Sequence, residues 1–138
     1  MLLDAFADLN WLAVLVAGLA YFVLGAVWYT DMLMGRQYRA GLGLDPNVKQ
    51  APDPKPLVIN LISWLVSALA LALVTVAVGA QGAGEGLVLG LVVGVGVVIT
   101  QMLVMATYEG RGNALFKVNA PYVVIGFALM GVILAAWG

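Results

Sequence analysis

Cysteine and histidine are both absent from the 138-residue chain, and charge is scarce. The first absence excludes disulfides, thiolate nucleophiles, imidazole bases and the commonest zinc and haem ligands together, and it leaves the redox compartment unreadable. Only 9% of the residues are charged, and six basic side chains against seven acidic ones give a net charge of −1. Such a chain has no basic surface to neutralise a phosphate backbone, so nucleic acid is excluded as a partner. What fills the chain instead is apolar, at 64% of residues and a mean hydropathy of +1.06. Too little polar surface remains to coat a water-soluble globule, and the chain belongs in a bilayer.

About twenty apolar residues are needed to cross ~30 Å of hydrocarbon as a helix. Four segments qualify, at about 11–30, 57–80, 87–108 and 120–137, the last with room to begin nearer Leu115 and carry Pro121 in its first turns. The expected fold is therefore all-α: a single polytopic membrane domain over 1–138, built as a four-transmembrane-helix bundle. Asp4 and Asp8 precede the first span where a cleavable export signal would place lysine or arginine, so such a signal is not expected. The long connection 31–56 divides in two. MLMGRQYRAGL mixes apolar and basic residues and suits a short interfacial helix, whereas DPNVKQAPDPKP, with four prolines between Pro46 and Pro56, reads as an extended linker.

All basic residues lie in odd-numbered connections. Arg36, Arg39, Lys49 and Lys55 occupy the first, and Arg111 and Lys117 the third. The opposite side offers only Asp4, Asp8 and Glu85. By the positive-inside rule the basic connections face the cytoplasm and both termini face the outer, periplasmic side of a bacterial inner (plasma) membrane. Trp11 and Trp137 then mark the outer boundary, and Trp28, Tyr29, Tyr38, Tyr108 and Tyr122 the inner one.

Two groups of polar residues are candidate sites. Asp31 and Glu109 each close a helix at the negative end of its dipole, where cations are favoured, so Arg36, Arg39, Arg111 and Lys117 are their expected partners. Asp31 with Arg111 and Glu109 with Arg36 are the pairs expected, as an interhelical clasp or, functionally, a cytoplasmic gate or anion site. Deeper in the membrane, Tyr21, Ser63, Ser67, Thr100 and Gln101 form a candidate polar cluster, with Gln101 expected to point inward and meet Ser63, Ser67 or Tyr21. This cluster is either a small polar pocket or interhelical glue. No acid or base lies at mid-membrane depth, which disfavours a proton-coupled antiporter, and no base sits beside the serines, so no enzyme, cofactor or metal is expected.

Glycine supplies a packing signal. Gly86, Gly90 and Gly94 recur every four residues on one helical face, and Gly18 and Gly25 share another, so these faces admit a neighbouring helix or a second copy of the chain.

The stretches N-W-L-A-V from Asn10, G-x-x-W-Y from Gly25, and Y-E-G-R with N-A from Tyr108 to Ala114 resemble the two ends of a bacterial integral membrane family known as domain of unknown function 1761. The resemblance runs the length of the chain and implies four helices. It transfers no activity, since that family is functionally uncharacterised. Two functions remain open on the residues alone. One is a structural or interaction bundle that self-associates or binds a membrane partner. The other is an oligomeric channel or facilitator for a small neutral solute. Membrane lipids are the expected partners, with a second copy as a candidate one and the small-molecule ligand unknown.

Overall fold

The computed structural model describes residues 2–30, 32–48, 54–109 and 114–137. Among these residues the only regular structure is helical. A short α1 (Leu2–Ala5) and a 3-10 turn lead into α2 (Trp11–Trp28), and α3 (Gly35–Gly41) follows it. The long α4 (Pro54–Val78) is followed by α5 (Gly82–Val93), which passes through a π-turn (Gly94–Ile99) into α6 (Thr100–Glu109). The last element is α7 (Ala114–Trp137). Four rods are long and apolar enough to cross a membrane: Trp11–Trp28, Pro54–Val78, Gly82–Glu109 and Leu115–Trp137. This is the architecture of a multi-pass membrane protein, and the short α3 occupies the place expected for an interfacial helix.

Local chemistry sets the helix ends. Asn10 caps α2, its side-chain oxygen accepting from the Ala13 N–H at 3.2 Å. Pro54 and Pro56 were expected in an extended linker with the span beginning at 57, but they form the first turn of α4, where the missing N–H groups would have had no partner. Gly79 ends α4 at φ 70, with its own N–H on the Val76 carbonyl and that of Ala80 on Thr75, the bond pattern of a Schellman cap. That cap confines the turn to a few residues, so the third span starts at Gly82 rather than 87. Glu85 supports this early start, its carboxylate accepting from the Gln81 N–H and placing negative charge on the helix's positive end.

The packing order is α4, α2, α7, α5. Helix α2 packs on both α4 and α7, and α7 also carries α5, whereas α4 and α5 barely touch. Small side chains allow the inner approaches: Ala13, Ala17, Ala68 and Ala72 are buried, with Tyr21, Leu71 and Met130 filling the spaces between them. The outward faces stay apolar, with Leu12, Val23, Ile62, Val88 and Val92 all exposed, as lipid contact requires.

The glycine faces meet partners within the chain. A Cβ on Gly86 would overlap the Gly131 carbonyl, and one on Gly90 the Phe127 carbonyl, so α5 and α7 are in backbone contact. Gly18 receives Leu65 of α4, and Gly25 receives Tyr122 of α7.

Candidate functional site

Tyr21 is fully buried near the middle of the bundle, and the aromatic residues organise around it. Trp64 of α4 stacks on its ring at 4.1 Å and 5° from parallel. On α7, a Cβ at Gly126 would lie 2.5 Å from Tyr21 Cζ, so only glycine leaves room for the phenol. Tyr122 and Phe127 approach edge-on at 4.9 Å and 5.8 Å, the arrangement ring quadrupoles favour. The Tyr122 hydroxyl donates to the Tyr21 carbonyl at 3.3 Å.

Toward the other end of α2 the rings continue. Tyr29 meets Tyr122 at 5.4 Å and Tyr38, on α3, at 4.9 Å. Two adjacent residues fasten α2 to the start of α7. The Trp28 indole N–H donates to the Val118 carbonyl at 2.9 Å, and the Tyr29 hydroxyl donates to Asn119 Oδ1 at 2.5 Å. Val118 lies three residues before Pro121, next to the Lys117 carbonyl that the proline leaves without its helical N–H partner, so the indole adds a bond from α2 to a weakened turn.

These rings form the walls of a cavity of about 690 Å³. Helix α2 contributes Tyr21, Gly25, Ala26 and Tyr29, α4 contributes Leu57, Asn60, Trp64 and Ser67, and α7 contributes Asn119, Tyr122, Val123 and Phe127. Val98 and Met102 reach it from the third rod. Because α4 makes no substantial contact with α6, the cavity lies where the second and third rods part. Four of the chain's five tyrosines line it. Tyr29, Tyr38 and Tyr122, expected to mark the inner membrane boundary, are turned into the protein, and Tyr108 alone among the tyrosines is left fully outward at 87% exposure.

Hydrogen bonding in the walls is lopsided. The Tyr21 hydroxyl is buried with no partner among the described residues. Asn119 has its oxygen taken by Tyr29, while its Nδ2, the Asn60 amide and the Ser67 hydroxyl have no partner among the described residues. Among the described residues no charged side chain lines the cavity.

The expected polar cluster is only partly assembled. Tyr21 and Ser67 share the cavity wall. Ser63 is exposed on α4, and Thr100 and Gln101 are exposed on α6. The π-turn causes the difference. In an uninterrupted α-helix Gln101 would fall seven residues after Gly94 and share its inward face. The wider turn over Gly94–Ile99 inserts one residue into that phase, so Val98 and Met102 point inward and Gln101 outward. Thr100 turns back on its own helix, donating to the Gly96 and Val97 carbonyls at 3.0 and 2.9 Å, carbonyls the π-turn has loosened.

The charge cluster is likewise divided. Asp31 and Arg111 lie outside the described residues, and so does their expected pairing. Arg36 donates to Asn47. Arg39, largely buried, directs Nε and one terminal nitrogen to the Pro46 carbonyl at 3.2 and 2.6 Å. Both arginines thus brace the segment after α3. Glu109 and Lys117 are exposed.

Residues that sequence reasoning passed over include Trp64, Asn60 and Asn119. Two asparagines within apolar helices were a readable signal, because an amide in hydrocarbon needs a partner; the facing of Trp64 onto Tyr21 had none. A second depression of about 540 Å³ lies at the opposite end, lined by Asp8, Asn10, Thr75 and Gln81 among others. The buried layer of Ala17, Ala68, Leu71 and Met130 separates the two. Among the described residues, no three acidic side chains gather as a metal site would require.

No curated protein and no solved structure matches the chain. One family does, over residues 12–135, which takes in the cavity lining and all but the outermost residues of the four long apolar rods. The chain belongs to the family described as protein of unknown function (DUF1761).

Proposed function

We propose that this protein is a membrane-embedded binding protein that holds a small lipid-soluble guest in the aromatic cavity. The observation that carries the proposal is the cavity itself: about 690 Å³, within the range of small-molecule sites, lined by aromatic rings and a few convergent polar groups. Its position where α4 and α6 part gives a guest a lateral way in from the bilayer, without passage through water. The role proposed is binding, since the described lining residues include no acid, base or activated nucleophile. Native mass spectrometry from membranes tests this. The parent protein should carry a small-molecule adduct, and Ala26→Trp, which places an indole in the cavity from α2, should lose it. Adduct-free parent protein, or equal adducts on both, would refute the proposal.

A path across the bundle for a neutral solute has less support, because Ala17, Ala68, Leu71 and Met130 close the axis between the two depressions and Gln101 is not on it. Self-association has a specific observation in its favour. The Gln101 amide points outward with no partner among the described residues. Its position is about 8 Å along the rod from the midpoint of Gly82–Glu109, well inside the hydrocarbon. A carboxamide facing lipid there is costly, and a second copy offers the complementary carboxamide. The orientation we favour is the one set by the basic residues, with Arg36, Arg39 and Lys117 in the cytoplasm of a bacterial cell and both termini outside.

A further inference from the structure

We propose that the guest is a neutral, planar ring compound bearing hydrogen-bond acceptors, of the quinone class, dissolved in the bilayer. This rests on the cavity being a guest site and goes further by naming what it selects. Three features of the walls converge. The rings of Tyr21, Trp64 and Tyr122 favour a flat aromatic guest over a branched or saturated one, because offset or edge-on contact with such rings adds to simple burial. Among the described residues no charged side chain lines the cavity, so none of them supplies the counter-ion that an organic cation or anion would need in this low-dielectric position.

The third feature is the donor surplus. The Tyr29 hydroxyl already occupies Asn119 Oδ1, which leaves the Nδ2 donors of that amide for another group. Among the described residues the exposed Asn60 amide and the half-buried Ser67 hydroxyl have no partner at the same wall, and the Tyr21 hydroxyl is the one buried side-chain group left an orphan. A buried donor without an acceptor is costly, and a guest that brings carbonyl oxygens removes that cost where a hydrocarbon of the same shape cannot. A hydroxyl-bearing ring offers fewer free acceptors and introduces donors of its own. The chemistry recognised is therefore a ring with exposed carbonyls.

The experiment uses matched probes on the full chain in detergent micelles: 1,4-naphthoquinone, naphthalene and 1,4-dihydroxynaphthalene. Binding is followed by the amide resonances of Gly25 and Val98. The absence of cysteine makes the quinone usable, since no thiol can add to it. Naphthoquinone should bind roughly tenfold more tightly than naphthalene, a ratio consistent with satisfying one or more orphan donors. It should also bind more tightly than the dihydroxy compound. Asn119→Leu should move the ratio to naphthalene toward one. Ser67→Ala provides a milder variant should the first fail to fold, and the probe comparison on the parent chain needs no variant. Equal binding of naphthoquinone and naphthalene would overturn the acceptor selectivity while leaving the cavity as a guest site. Binding of none of the three would overturn both.

Discussion

Tyr21 and Trp64 lie face to face at 4.1 Å, on helices that run through the bundle on either side of its aromatic cavity. That stack does two things. It closes the α2–α4 contact at the depth where small alanines give way to large rings, and it forms a flat wall on which a guest can rest. Trp64→Ala should therefore lower stability by about 3–5 kcal/mol, as large aromatic truncations do in packed interiors. Trp64→Phe, which keeps a ring, should recover most of that loss. Thermal unfolding in detergent distinguishes them, and equal melting of both variants with the parent would show that the stack contributes nothing.

The contact between α5 and α7 depends on missing side chains. Gly131 lies against Gly86 and Gly90 with its Cα hydrogens as the only spacer. Gly131→Leu should destabilise the bundle by about 1–3 kcal/mol or more through overpacking. A substitution of the same size at Gly96, which has open space around it, should be close to neutral. The comparison fails if the two substitutions shift unfolding equally.

Tyr29 and Asn119 join α2 to α7 through one hydrogen bond. Tyr29→Phe and Asn119→Leu should each destabilise by roughly 1 kcal/mol, the upper part of the range for interhelical bonds in membranes. In the double variant the second change should cost less than it does alone. Strictly additive losses in a chemical unfolding cycle would mean the two side chains do not act together.

Much of the fold was legible because its causes are local. The four apolar runs, the short helix at Gly35–Gly41 and the close-packing faces of Gly86, Gly90 and Gly94 all follow from composition and spacing. The site was legible only in pieces. Tyr21 and Ser67 were found because polar groups in hydrocarbon stand out. Gln101 was placed on the wrong face because a π-turn has no strong sequence signature and shifts every later residue around the rod. Tyr29, Tyr38 and Tyr122 looked like a belt because residues near a membrane boundary can serve outward or inward equally well, and only the tertiary arrangement decides between them. Gly126 and Gly131 carried no signal because they are five residues apart and so do not share the four-residue spacing.

Gln101 offers a direct test of self-association. Gln101→Leu should leave the unfolding of the single chain within about 0.5 kcal/mol of the parent, as for an outward position. In bilayers, energy transfer between donor- and acceptor-labelled copies should fall if the carboxamides meet. Unchanged transfer would remove Gln101 from any contact between copies.

Orientation is open to single-cysteine labelling, which the cysteine-free chain permits without background. Val48→Cys should react with an impermeant reagent only from the cytoplasmic side, and Glu85→Cys only from the outside. The reverse pattern would invert the protein, and labelling of both from one side would break the four-span topology.

Occupancy of the aromatic cavity is most directly seen in nuclear Overhauser contacts between bound naphthoquinone and the protein, which at 14.4 kDa is small enough to study in micelles. Contacts to the Trp64 indole, the Met102 methyl and the Val123 methyls, saturating at one guest per chain, are the expected result. Contacts scattered over the outward Val88 and Val92, with none at Trp64, would show that the probe coats the lipid-facing surface and that the cavity holds no guest.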